Sequence, residues 1–183
     1  PLILRCTVTK GKKVREQATQ RSVAGLLCEE GETPILKSCL FTQVEGTRVI
    51  CEAESAPQFE SCVFSNNAGE GLVVYGSSKP LLRKCLFVSN RLDGAFTYSR
   101  VSFVDCTFRS NGLQEGGGIT QSGGDLYLGN CLFAFNLSYA INSTSWSDST
   151  FLEHCTISAN GQGAGGACGR GGRGDRSSRR RDT

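Results

Sequence analysis

Hydrophobic and polar residues along this chain recur with a long period. Cysteines stand at Cys39, Cys62, Cys85, Cys106, Cys131 and Cys155, spaced 23, 23, 21, 25 and 24 residues, with an earlier copy at Cys6. Three positions before each lies a large apolar residue: Ile3, Leu36, Phe59, Leu82, Phe103, Leu128 and Leu152. Two positions after each lies another: Val8, Phe41, Phe64, Phe87, Phe108, Phe133 and Ile157. Self-similarity at this period marks a stacked-repeat architecture. Strict alternation around the cysteine puts Cys85 and Phe87 on one face of a short strand, with Lys84, Leu86 and Val88 on the other.

The rest of each copy supplies turns. Three residues beyond the second apolar column come Asn67, Asn90, Asn111, Asn136 and Asn160. Asparagine tolerates left-handed backbone and bonds nearby main chain, so an Asn at one offset predicts a repeated turn. A further apolar stretch follows, clearest at Gly71-Leu-Val-Val-Tyr75, Gly25-Leu-Leu-Cys28 and Val49-Ile-Cys51. Prolines at Pro1, Pro34, Pro57 and Pro80 then precede the next copy. One such coil cannot bury its own apolar face, but stacked coils turn each inward position into a ladder of like side chains. The pattern predicts an all-β fold: a single-stranded parallel β-helix of about seven coils over residues 1–160. It carries a basic loop insertion near 10–21 and a Gly/Arg-rich tail over 161–183 that is expected to be disordered. A leucine-rich repeat shares the period but needs helical segments, whose spacing is absent here.

Several segments resemble known families. Phe64-Ser-Asn-Asn67, Phe87-Val-Ser-Asn90, Phe108-Arg-Ser-Asn111 and Phe133-Ala-Phe-Asn136 resemble the F-x-x-N half-motif of polymorphic-membrane-protein repeats, and Gly116-Gly-Gly-Ile119 resembles its glycine-rich partner. Gly71 to Asn90 resembles the right-handed β-helix repeats of pectin-lyase-like proteins and of eukaryotic F-box and adaptor proteins. The resemblance spans residues 1–160 and implies a right-handed coil, which also agrees with the general hand of parallel crossovers. It implies a fold rather than an activity, because lyases, hydrolases, adhesins and substrate receptors share this coil.

Composition narrows the field. With 23 glycines and no methionine, the apolar residues come in short runs separated by Gly, Ser, Asn and Pro, which suits many short strands. No run of about 18 apolar residues could span a bilayer. Beginning at Pro1 in mid-repeat, the chain reads as one piece of a larger protein. The net charge of +3 misleads: residues 169–183 hold six arginines against Asp175 and Asp182, leaving 14 basic and 15 acidic residues elsewhere. Nucleic-acid binding is therefore expected only weakly, through the tail.

The ten cysteines follow the coil period and include no C-x-x-C pair, so they are expected to fill space rather than hold metal or form disulfides. No metal or cofactor site is expected. Rows of unbridged cysteine favour a reducing intracellular compartment; the sequons Asn136-Leu-Ser138 and Asn142-Ser-Thr144 point instead to secretion or the cell surface.

Glycan cleavage needs carboxylates converging on one bond, and no two acids stack on neighbouring coils. Glu60, Arg83 and Asp105 are expected to form a cross-strand charge ladder, and Asp93, Asp125 and Asp148 to serve turns. No catalytic residue is expected. The position after each cysteine faces outward and is aliphatic at Leu40, Val63, Leu86 and Leu132; a contiguous apolar stripe marks a contact surface. With the loop cations Lys12, Lys13 and Arg15 these are the expected binding residues. Tyr75, Tyr98 and Trp146 could stack on sugar rings, but in the absence of aligned columns packing or exposed turns is favoured for them. The sequence thus points to a non-catalytic recognition or scaffold domain. Its partner is a protein or a polysaccharide, or further coils of the same chain at the open ends. The alternatives are a surface adhesin of polymorphic-membrane-protein type and a polysaccharide lyase or glycoside hydrolase.

Overall fold

The computed structural model describes residues 1–9, 25–28, 30–45, 49–113, 116–144 and 147–161. The basic insertion with Lys12, Lys13 and Arg15, together with Trp146, Cys168 and the tail beyond Gly161, lies outside them. Every regular element among the described residues is a strand of three or four residues, and every pairing is parallel. The strands form three sheets running the length of the solenoid, of seven, seven and six strands. The first sheet begins with Leu2–Leu4 and ends with Thr150–Glu153, the second runs from Thr7–Thr9 to Thr156–Ser158, and the third from Leu26–Cys28 to Ile141–Ser143. Among the described residues, six coils therefore carry three strands and a seventh carries two.

One expectation is corrected at the cysteine. The alternating run around it is not a single strand. The residue before each cysteine is left-handed, with φ between 50° and 55° at Arg5, Ser38, Ser61, Lys84, Asp105, Asn130 and His154. This residue splits the run into one strand of the first sheet and one of the second, and the cysteine sits inside the bend. The ladder bonds continue through the corner: Ser61 N–H donates to Arg83 O, Lys84 N–H to Val104 O and Asp105 N–H to Gly129 O, each at 2.9 Å. None of these corner residues is glycine. Non-glycine residues are disfavoured there by about 1–2 kcal/mol each, so these bonds and the packing beneath them hold the conformation.

A second correction concerns the asparagines. The left-handed residue is the one before each Asn: Asn66, Ser89, Ser110, Phe135 and Ala159. The asparagines themselves are buried and form a ladder. Asn90 Oδ1 accepts from Asn67 Nδ2 at 2.9 Å and from Asn67 N–H at 3.2 Å, while Asn90 Nδ2 donates to Phe64 O at 3.0 Å and to Asn111 Oδ1 at 2.9 Å. Asn111 and Asn136 repeat this. At the ends, Asn67 Oδ1 accepts from Val44 N–H and Asn160 Nδ2 donates to Phe133 O and Ser158 O, so each buried amide is satisfied.

Inward columns fill the core. Phe41, Phe64, Phe87, Phe108 and Phe133 stack with centroids 5.1, 4.5, 4.6 and 4.8 Å apart and planes within 14°. Phe59 and Phe103 meet this stack edge-on, an arrangement that suits aromatic quadrupoles. Leu36, Leu82, Leu72, Ile119 and Leu126 complete the buried interior. Leu152 and Ile157 of the last coil occupy inward positions yet stay exposed, because no described strand covers them.

Candidate ligand-binding recess

The cysteine column lines the core as a row of thiols. Cys39, Cys62, Cys85, Cys106 and Cys131 are buried and free, Cys155 is half-buried, and Cys6 is exposed at the N-terminal end. Their Sγ atoms donate to carbonyls of the coil before, as from Cys62 to Leu36 O at 3.4 Å and from Cys106 to Leu82 O at 3.5 Å. For Cys106 the hydrogen bond with Cys131 pulls the thiol pKa down, but that with Cys85 and burial push it up to about 12; Cys85 sits likewise, drawn down by Cys106 and raised by Cys62 and burial to about 12. Cys131 is raised by its bond to Cys106 and then by burial. Such thiols stay protonated and are poor nucleophiles and poor metal ligands.

The first sheet presents two outward columns. Four residues before each cysteine run Leu2, Ile35, Gln58, Leu81, Ser102, Tyr127 and Phe151; two residues before run Leu4, Lys37, Glu60, Arg83, Val104, Gly129 and Glu153. This register corrects the expected charge ladder. Arg83 pairs with Val104, not Asp105, which belongs to the left-handed corner and accepts from Asn130 Nδ2 at 2.7 Å. The ion pair that forms is Lys37 Nζ to Glu60 Oε2 at 2.7 Å; Lys37 holds the Glu60 carboxyl below its ordinary range, with smaller help from Lys84 and Arg83.

Toward the C-terminal end the two columns enclose an open recess of about 630 Å³, lined among others by Leu81, Ser102, Val104, Tyr127, Gly129, Phe151 and Glu153. Gly129 is its floor: a Cβ built there would meet only Val104 Cγ2, at 4.0 Å. Tyr127 and Phe151 form its wall, stacked at 4.7 Å and 12° yet 38% and 48% exposed. Arg100 sits over the Tyr127 ring, 5.9 Å from its centroid, and donates to Asp125 Oδ2 at 2.9 Å. Asp125 Oδ1 accepts from Ser149 N–H at 3.1 Å; that bond first, and Arg100 second, hold the Asp125 carboxyl below its ordinary range. The corner that carries the aromatic wall is therefore braced across three coils. Tyr127 and Phe151 both stand four residues before a cysteine, an offset otherwise filled by Leu2, Ile35, Gln58, Leu81 and Ser102, so the repeat pattern does not single them out.

The expected stripe on the second sheet is present as a column. Leu40, Val63, Leu86, Thr107 and Leu132 pair in register, half-buried except for the exposed Leu132. Lys12, Lys13 and Arg15 are not described, so their relation to it stays outside the structure. On the third-sheet side Tyr75 and Tyr98 do share a column, stacked at 5.2 Å and 18°, so their rings pack on each other.

Asp93 has a structural post. Its Oδ1 accepts from Gly117 N–H at 2.7 Å and Tyr139 OH at 3.0 Å, and Tyr139 OH also meets Thr120 Oγ1 at 2.7 Å. Burial raises the Asp93 carboxyl above its ordinary range against the pull of those bonds, and burial first, then Asp93, pushes Tyr139 up to about 12. Of the two sequons, Asn136 is buried in the amide ladder, where no glycan fits. Asn142 is half-buried on the strand Ile141–Ser143.

Comparison with known proteins gives one match. The model of a family described as the right handed beta helix region fits residues 2–102 and 49–174. No curated protein and no solved structure matches the chain.

Proposed function

We propose that this chain, which belongs to the right-handed β-helix family, is a non-catalytic recognition domain that binds a saccharide ring in the recess over Gly129. The observation that carries the reading is the exposed Tyr127–Phe151 stack beside an open volume of about 630 Å³. A small-ligand site usually offers a cavity of about 300–1,000 Å³ with aromatic walls and a few polar groups. Here Ser102 and Glu153, both in outward columns, supply the polar groups, and the rings offer apolar surface to the C–H face of a sugar.

The non-catalytic part rests on the carboxylates. Glycoside hydrolysis generally needs two flanking the scissile bond, about 5–9.5 Å apart. The recess is lined by one, Glu153, while Glu60, Asp105 and Asp125 are each engaged elsewhere. A surface adhesin would use the same recess; a glycan-cleaving enzyme would need a second acid.

A second reading has its own support. The in-register column Leu40, Val63, Leu86 and Leu132 suits a protein partner docking on the second sheet. One experiment separates the two. Calorimetric titration with neutral oligosaccharides should give measurable binding that Tyr127→Ala weakens about tenfold, the size of a lost ring contact, with the ligand recovered uncleaved. Leu40→Ser combined with Leu86→Ser should leave that binding intact. Saccharide binding indifferent to Tyr127 would remove the recess from the account, and release of new reducing ends would overturn the non-catalytic assignment. Should the double variant alone abolish association, with a protein and not a sugar, the second reading stands instead.

A further inference from the structure

Resting on the reading of the recess as a saccharide site, we infer that it selects by charge: it takes an amino sugar bearing an ammonium group ahead of a neutral ring and disfavours uronic acids, with Glu153 as the specificity-determining residue. The residues lining the recess include a single charged side chain, Glu153. It stands next after Gly129 in the outward column, at the edge of the open floor. The described cations nearby serve other groups. Arg100, over the Tyr127 ring, is tied to Asp125, Lys37 is tied to Glu60, and Arg83 lies beyond Val104 and acts on Glu60. His154 follows Glu153 in the chain, with Nδ1 3.8 Å from Glu153 Oε1, and both side chains are 81% exposed. It counters the carboxylate only when protonated.

One feature of the recess then sets the sign: a carboxylate attracts an ammonium and repels a second carboxylate. A uronate in this recess would face Glu153 with no described lysine or arginine lining the site to pair with it. That is discrimination by a repulsive element as well as an attractive one. Glu153 is well exposed, so solvent and salt screen it and the preference is a modest factor.

The test uses the full chain carrying His154→Gln, at low salt and at a pH between the ordinary carboxylate and histidine ranges, where carboxylates are ionised and the amino-sugar nitrogen keeps its proton. It is titrated with glucosamine, glucose and galacturonate oligomers of equal length, alongside Glu153→Gln and Tyr127→Ala. Glucosamine should bind roughly two- to fivefold tighter than glucose, and galacturonate weaker by a similar step, as expected for one solvent-exposed charge pair. The steps should shrink at high salt. Glu153→Gln should collapse the ranking, bringing the three affinities together, since an exposed pair contributes little beyond its charge. Galacturonate binding as tightly as glucose, or a ranking unmoved by Glu153→Gln, overturns the inference while leaving the saccharide site standing. If none of the three binds, or if Tyr127→Ala leaves glucose binding unchanged, the underlying reading falls and the inference with it.

Discussion

At the scale of single residues, the asparagine ladder carries more of the fold than its polar character suggests. Asn111 Oδ1 accepts both Asn90 N–H and Asn90 Nδ2, and its own Nδ2 caps Phe87 O and reaches Asn136 Oδ1. Asn111→Ala would strand two donors and an acceptor inside a buried column. Each unsatisfied buried group is penalised by about 1–3 kcal/mol, so we expect a loss of roughly 2–4 kcal/mol, allowing for partial relaxation. Urea unfolding followed by circular dichroism measures it; a change under about 0.5 kcal/mol, the range of ordinary surface substitutions, would show that the ladder is not a stabilising element. The cysteines contrast with this. Their thiols bond weakly to carbonyls and fill the inside of a corner, the space-filling role that their coil-period spacing predicts.

At the scale of elements, the corner before each cysteine explains what the sequence could and could not show. Inward and outward positions were legible, because Phe87 and Cys85 are large or apolar where Lys84 and Leu86 tolerate solvent. The break in the strand was not. The corner residues are Arg5, Ser38, Ser61, Lys84, Asp105, Asn130 and His154, all polar as any outward position can be and none of them glycine, so only the backbone reveals their common φ. The turn at the asparagines was legible by offset but assigned to the wrong residue, since Asn90 advertises a left-handed turn that Ser89 makes. One substitution separates local strain from side-chain contacts. Lys84→Gly should be neutral to stabilising by up to about 1 kcal/mol, and Lys84→Val destabilising by more than about 1 kcal/mol, because a β-branched residue fits the left-handed region worst. Thermal melts of the two variants report the order, and the reverse order would contradict the corner geometry.

At the scale of the whole molecule, stacking turns a one-dimensional repeat into three faces whose chemistry changes from coil to coil. Inward columns stay constant, which made the fold readable from seven copies of one pattern. Outward columns drift, and the candidate site lies where they drift furthest: Ser102 gives way to Tyr127 and Phe151, while Val104 gives way to Gly129 and Glu153. No single coil contains this site, and a sequence read one coil at a time passes over it. Scanning every outward offset across neighbouring copies would have found the aromatic pair, though not the open floor that Gly129 leaves beside it.

That floor gives the most direct test. A Cβ at Gly129 has only Val104 Cγ2 within reach, at 4.0 Å, so Gly129→Val should fill the recess without disturbing the core. Isothermal titration of the unaltered protein and of Gly129→Val with the same neutral oligosaccharide compares them at matched stability. The account predicts binding to the first and at least about a tenfold loss in the second, the scale of excluding one ring from its aromatic wall, with melting temperatures that agree within a few degrees. Equal affinity in both proteins would contradict it.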